Sequence, residues 1–282
     1  DLESGAAVTQ DASCDVATSN VPVEYDYTRL ALTTSMPHII NIKVAGNKKW
    51  VAVFGGGQNY GMDCTTGNVV YVMDLEDNPG TILKQIAIPD DPSNSIYNTV
   101  NANLALVQRD GTVKADYYGA LVYFADLENK LWKIDLTDKA GSNLGRKIKI
   151  FEDVATDTNG RRAYQEIVPV LDSSQNINIS NISQESNILR LYWGTGDLDN
   201  LAERTNQVQN RLYGISDLTF TDFALPWQTA DDSANNPALN RINDCTDSTA
   251  LSAGCPPLSN VGSKNIGWYI DLPESRKTTG RK

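Results

Sequence analysis

The side chains in this sequence that could do chemistry are few, and most are carboxylates. His38 is the only histidine. It stands beside Pro37 at the start of an apolar run, so a histidine-dependent triad has one candidate and no placed partner. Gly194-Thr195-Gly196-Asp197-Leu198-Asp199-Asn200 sets Asp197 and Asp199 at alternate positions after a strand-like run. Such a loop can hold a cation or a partner's basic group, and it is equally the composition of a solvated turn. Asp157-Thr158-Asn159-Gly160 begins like a calcium loop but lacks the later glutamate, and a hairpin turn with Gly160 at positive φ accounts for it. Gly55-Gly56-Gly57 follows a strand as a phosphate loop would. Without a Gly-Lys-Ser/Thr ending or a following helix, it reads as a bulge or tight crossover.

The four cysteines, Cys14, Cys64, Cys245 and Cys255, include no C-x2-C pair and so make no zinc pattern. Cys245 and Cys255 bracket a short Ser/Thr/Gly/Pro-rich loop that a disulfide would close easily, which leaves Cys14 to tie the N-terminal segment to Cys64. The alternative is buried thiols. Two bridges imply an oxidising, exported setting. A formal net charge of −11 argues against nucleic acid, whose binding needs Lys and Arg to displace counterions. No stretch reaches the ~20 apolar residues of a membrane span. The chain starts at Asp1 without a signal peptide and reads as a mature product or an excised piece.

The elements that must position these residues repeat. Val53-Phe54-Gly55-Gly56 leads to Val70-Tyr71-Val72-Met73-Asp74-Leu75. Tyr123-Phe124-Ala125-Asp126 leads to Leu131-Trp132-Lys133-Ile134-Asp135-Leu136. Tyr192-Trp193-Gly194-Thr195 leads to Leu212-Tyr213-Gly214-Ile215-Ser216-Asp217, and Gly267-Trp268-Tyr269-Ile270-Asp271-Leu272 reads as a fourth, partial copy. Side chains on a strand alternate between faces, so these segments suit sheets covered on both sides. Recurrence at roughly 70 residues marks a modular β architecture. The fold expected is all-β: a β-propeller, or a multi-blade portion of one, with long inter-strand loops. Residues 1–24 read as an irregular segment and 25–282 as the propeller region, part of a longer chain. Further strands are expected at Tyr27–Leu32, Ile39–Val44, Leu83–Ile88, Lys147–Phe151 and Ile167–Leu171, with a turn at Ala45–Lys48. Trp50, Trp132, Trp193, Trp227 and Trp268 read as blade packing.

In order, these segments resemble the PilC/PilY type IV pilus tip-associated proteins, in their C-terminal β-propeller. Trp50–Gly57 with Val70–Leu75 is similar to the family's "W-v-v-v-F-G-x-G … l-y-v-x-D-l" blade. Tyr123–Leu136 is similar to "Y-x-G-D-L-x-G-N-L-W-x-F-D-L", Gly194–Gly196 with Leu212–Ile215 to "f-G-T-G … l-Y-G-I-x-D", and Gly267–Leu272 to "G-W-x-x-D-L". The resemblance covers about residues 25–276. It implies a protein at the pilus tip, outer cell surface or periplasm of a bacterium, and the lack of a catalytic constellation in the sequence leads to the expectation that it is not an enzyme. Such a protein supports pilus assembly and surface adhesion, with minor pilins, other tip components, and host or abiotic surfaces as partners. The von Willebrand A-like region that precedes the propeller in many members has no counterpart here.

The family often carries a calcium loop before its "Y-x-G-D-L" strand, and the matching segment is Gln108–Asp116. Only Asp110 and Asp116 remain as carboxylate donors there, with Arg109 and Lys114 among them. Calcium takes six to eight oxygen ligands, so this loop is degenerate, and the Asp197/Asp199 loop is the alternative. Two other readings stand beside the pilus one. Asp63-Cys64-Thr65-Thr66-Gly67 resembles the "D-x-x-T-G" blade ends of quinone-dependent dehydrogenases, which would make this a redox propeller enzyme. A purely structural scaffold is the third. Mass spectrometry of unreduced protein should find Cys14–Cys64 and Cys245–Cys255 bridged; four alkylatable thiols in native material would refute the pairing.

Overall fold

Alternation decides the architecture. In β2 (Asn47–Gly55), Val51 and Val53 point to one side and Ala52 and Phe54 to the other, and all four are buried. A sheet built on such a strand must be covered on both faces. The computed structural model describes residues 23–59, 65–90, 96–108, 118–137, 140, 143–153, 160–172, 188–196, 208, 210–217, 220, 239–241 and 267–272, and it shows the covering. β1 (His38–Val44), β2, β3 (Val69–Asp74) and β4 (Ile82–Ala87) form one antiparallel meander. β5 (Ala105–Val107), β6 (Leu121–Ala125), β7 (Lys130–Asp135) and β8 (Arg146–Glu152) form the second. The third contains β9 (Val168–Asp172), β10 (Ile188–Gly194), β11 (Arg211–Asp217) and β13 (Gly267–Asp271), with β12 (Leu239–Arg241) added parallel to β13. Stacked meanders of this kind are propeller blades, and the chain is all-β as its sequence implies. Helix among the described residues is confined to short 3-10 turns such as Val23–Tyr25.

Two apolar seams hold the stack. Between blades 1 and 2, Ile42, Val51, Val53, Val70 and Val72 meet Val122, Phe124, Trp132 and Ile134. Between blades 2 and 3, Leu121, Tyr123, Leu131 and Phe151 meet Leu189, Leu191, Trp193, Tyr213 and Ile215. Here the Trp193 and Tyr213 rings stack with centroids 4.9 Å apart, and Phe151 stands edge-on to Trp193. Each large side chain so buried is worth roughly 1.5–3 kcal/mol. Trp132 and Tyr123 lie on opposite faces of blade 2, one in each seam. The β1–β2 hairpin closes through Ala45 and Gly46, both at positive φ (50° and 85°), the geometry a two-residue turn needs to match strand twist.

Two expectations are corrected. Tyr27–Leu32 alternates but forms no strand. Asp26 Oδ1 accepts from Thr28 N at 3.1 Å and Thr28 Oγ1 at 2.5 Å, and this local turn competes with extension. The chain instead runs as a strap across blade 1, with Tyr27 and Leu30 packed on the face that carries Phe54 and Tyr71. Ala31 N donates to Gly56 O and Leu32 N to Gln58 O, which fasten it. Nor does Gly267–Leu272 open a fourth unit. β13 pairs with β11, Tyr213 opposite Tyr269, as a further strand of blade 3, and β12 lies parallel beyond it.

Phe124, fully buried in the first seam, tests this packing. Phe124→Ala should cost about 3–5 kcal/mol in denaturant unfolding, while Ile39→Ala, at a side chain 65% exposed, should change little.

Candidate functional site

The densest buried polar chemistry lies where the β6–β7 turn meets both neighbouring blades. Asp126 Oδ1 accepts from Lys130 N at 2.8 Å, and Oδ2 accepts from Asn98 Nδ2 at 2.8 Å and Trp132 Nε1 at 2.7 Å. Asn129 sits in the left-handed region at φ 62°, where an asparagine is tolerated, and its Oδ1 accepts from Trp193 Nε1 of blade 3 at 2.7 Å. Lys130 Nζ pairs with Glu128 at 2.5 Å and lies 3.9 Å from Glu152. Every residue from Asp126 to Lys130 is buried. Burial pushes the Asp126 carboxyl up to about 6, against the pull of the Lys130 ammonium and the donors on its oxygens. Burial lowers Lys130, but the Glu128 and Asp126 charges outweigh it and raise the ammonium.

Residues 96–104, which lead from blade 1 to blade 2, stitch this turn to blade 1. Val100 accepts from Gly57 N at 3.0 Å and donates to Gly67 O at 2.8 Å, Thr99 O accepts from Leu127 N at 3.0 Å, and Asn101 Nδ2 donates to Gln58 Oε1 at 2.8 Å. The Gly55-Gly56-Gly57 run is what lets the chains approach. A Cβ on Gly55 would stand 2.3 Å from Val100 O, and one on Gly57 would stand 2.0 Å from Leu32 O. The glycines make a tight crossover, as the missing Lys-Ser/Thr ending implied.

Charged pairs close each blade at the strand ends. β3, β7 and β11 end in Asp74, Asp135 and Asp217, and β13 ends in Asp271; all four are buried. Their cations are Lys49 at 2.7 Å, Arg146 at 2.8 Å, Lys133 at 2.7 Å and Arg211 at 2.7 Å. Asp74 and Asp135 also accept the backbone N–H two residues on, Glu76 at 2.8 Å and Thr137 at 2.9 Å. Burial raises Asp74, but Lys49 and the Glu76 and Asp77 N–H groups outweigh it and hold the carboxyl below the usual range. The Lys133–Asp217 pair crosses from blade 2 to blade 3 with both side chains fully buried, and Tyr123 OH donates to the same Asp217 oxygen at 2.8 Å. A second bridge runs through Asp153, which accepts from Tyr213 OH and pairs with Arg161 at 3.0 Å. Burial first, then the Asp153 charge, drives the Tyr213 phenol well above its ordinary range.

Asp110, Asp116, Asp197 and Asp199 lie outside the described residues, as do Cys14, Cys64, Cys245, Cys255 and Trp227. Among the described residues no group of three or more His, Cys, Asp or Glu is placed to hold a metal. Tyr118, which follows the 109–117 segment, carries the Lys43 and Lys48 ammoniums, each 4.5 Å from its ring centroid. His38 opens β1 with its Nε2 buried and without a hydrogen-bond partner among the described residues, so no base or acid is set against it. Trp132 and Trp193 pack as expected, but Trp50 is 50% exposed, because the strap's Tyr27 and Leu30 cover the Tyr71 side of that face and stop short of it. Asn98, Glu128, Asn129 and Lys133 were not singled out from sequence. Lys133 had a signal, since it shares a strand face with buried Leu131 and therefore needed an opposite charge from another element.

The fold and its polar ties define the class: a multi-blade portion of a β-propeller. No family model matches the chain. A curated relative, the type IV pilus biogenesis factor PilY1 homolog of Xylella fastidiosa (strain Temecula1 / ATCC 700964), is 28% identical over 259 residues, which is 86% of this chain and 15% of the relative. The crystal structure of the Pseudomonas aeruginosa PilY1 C-terminal domain superposes with a TM-score of 0.51 at 16% identity, covering 90% of this chain and 53% of that one. The chain is similar to these PilY1 proteins and shares the fold of the PilY1 C-terminal domain, and it spans only a small part of the curated relative's length.

A group with a raised folded-state pKa adds stability below its unfolded value and loses it as pH rises through its folded value. Asp126 therefore favours the folded state most near pH 4 and least above about 6. Unfolding free energy relative to Asp126→Asn should fall by up to roughly 3 kcal/mol between pH 4 and 7. A difference flat across that window would contradict the assignment.

Proposed function

We propose that this chain acts in type IV pilus biogenesis as a rigid propeller section at the pilus tip or outer cell surface. It presents its inter-strand loops to minor pilins or other tip components, and to host or abiotic surfaces in adhesion, and it carries out no catalysis. The observation that carries the reading is the similarity to the PilY1 homolog across most of the chain. The site chemistry agrees with it. Asp126, Glu128, Asp217 and Asp271 are buried and bonded to Trp132, Lys130, Lys133 and Arg211, so these four carboxylates serve packing within and between blades. Such a scaffold suits loops that vary in sequence on fixed supports.

Two subsidiary proposals attach to this role. The Cys14–Cys64 and Cys245–Cys255 bridges would pin the N-terminal segment and the last long connection in an oxidising compartment. Calcium, where bound, would use Asp110 and Asp116 or, as the alternative, the Asp197/Asp199 loop.

Deletion of the parent gene should reduce surface pili and attachment, with both restored by the intact gene. Normal pili and attachment in the deletion strain would overturn the reading, and a quinone or metal chromophore in the purified protein would favour a redox enzyme. If calcium binds, titration calorimetry should show micromolar binding that is lost in Asp110→Ala/Asp116→Ala. Binding that survives those changes and is lost in Asp197→Ala/Asp199→Ala would place the site in the alternative loop.

A further inference from the structure

Cations throughout the stack are paired: Lys49, Lys130, Lys133, Arg146, Arg161 and Arg211 each meet a carboxylate within 3.0 Å. Arg29, Lys84 and Lys147 differ, since none of the three meets a carboxylate among the described residues. They are gathered at one place, the outer rim of the seam between blades 1 and 2. β4 and β8 are the outermost strands of their blades. Lys84 stands opposite Val72 and Lys147 opposite Ile134, and both partners belong to that seam, so both lysines lie on the faces that form it. The stem of Lys84 lies beside Gly145, 3.7 Å from where a Cβ there would be. Lys147 Nζ donates to Ala87 O at the end of β4. The strap brings Arg29 to the same end: Gly67 N donates to Arg29 O at 2.8 Å, and Ile88 N donates to Asn68 O at 2.7 Å. Lys84 and Lys147 are exposed and Arg29 is half-buried.

Three cations without an acid are an uneven arrangement in a chain whose formal net charge is −11. Like charges held near one another raise the energy of the folded state. Desolvation against blade 1, and after it the Arg29 charge, push the Lys147 ammonium below its ordinary value. Neighbouring carboxylates do not relieve it. Glu24 stands on the 3-10 turn that touches β4 and pairs with none of the three. Asp26 accepts from Thr28, and Asp90 accepts from Asn98 N at 2.7 Å. Lysines on edge strands often serve only to deter sheet-to-sheet pairing. That accounts for Lys84 and Lys147 taken singly, but not for their sharing one rim with Arg29 beside them.

We propose that Arg29, Lys84 and Lys147 form a binding site for a phosphate-class oxyanion, either free inorganic phosphate or a phosphomonoester on a larger headgroup. Charge selects the ligand. One carboxylate would leave a surplus of roughly two positive charges, whereas a phosphomonoester carries about −1.5 to −2 at pH 7 and three acceptor oxygens. Arg29 supplies a planar fork of donors, and the two lysines supply compact charges whose remaining N–H donors turn toward the ligand. The seam beneath is apolar, so the ligand sits on the rim and does not enter the core.

Titration calorimetry of the 282-residue chain with inorganic phosphate, in a low-salt chloride buffer, tests the site. Saturable binding is expected, weakened about tenfold or more in Lys84→Met/Lys147→Met. Lys149→Met, which removes an exposed ammonium paired with Glu152, should leave it within about twofold. Arg29→Gln is a second variant expected to weaken binding by the same route. No saturable phosphate binding, or binding that survives both variants unchanged, overturns the proposal. Flotation with vesicles carrying phosphatidic acid separates the two sources. Retention lost in the double variant assigns a headgroup; no retention, or retention that the double variant keeps, assigns free phosphate. A chain that ignores phosphate but binds a polyglutamate peptide through these residues would overturn the proposal in favour of an acidic protein partner.

Discussion

The β6–β7 turn is the constraint on which the rest depends. Three chain segments meet at five buried residues, and each brings a donor that must be satisfied away from water. Asn98 comes from the connection out of blade 1, Trp132 from within blade 2 and Trp193 from blade 3. Apolar seams alone would let sheets slide or twist over one another, because hydrophobic contact has no direction. A hydrogen bond from an indole N–H to a fixed acceptor is directional, and the one from Trp193 to Asn129 crosses from blade 3 to blade 2 and restrains how those two sheets sit on each other. The Lys133–Asp217 pair adds a second fixed point on the blade 2–blade 3 seam. Removing one partner of such a pair leaves an uncompensated buried charge, so its value lies more in specificity than in net stability.

Blade existence was legible in the sequence because it rests on period-two alternation, which sheet geometry enforces directly. Val51 to Phe54 and Leu131 to Leu136 carried that signal without tertiary context. The strap was not legible, since Tyr27-Thr28-Arg29-Leu30 alternates like a strand and only the Asp26 turn diverts it. The role of Gly267–Leu272 was misread for a related reason: a repeat motif identifies a strand but not the neighbour it pairs with. Of the polar site, the sequence showed that an aspartate closes each unit, at Asp74, Asp135, Asp217 and Asp271. It could not show the cation each one meets, because Lys133 and Asp217 lie in different blades. Asn129 was hidden for another reason, since nothing local marks an asparagine as both the left-handed residue of a turn and the acceptor for a tryptophan in the next blade.

The polar architecture makes a body that keeps its shape. The buried charges Lys130–Glu128 and Lys133–Asp217 are engaged with one another, and Gly55 and Gly57 sit where chains cross.

The account stands on the claim that blade 3 is held to blade 2 by a directed bond from Trp193 to Asn129. A double-mutant cycle measures it, using Trp193→Phe to remove the donor and Asn129→Gly to remove the acceptor while keeping the left-handed turn. A coupling of about 1 kcal/mol or more is expected in equilibrium unfolding, with each change costing less once the other is present. Additive effects, with no coupling, would contradict it and leave the blades joined by apolar packing alone.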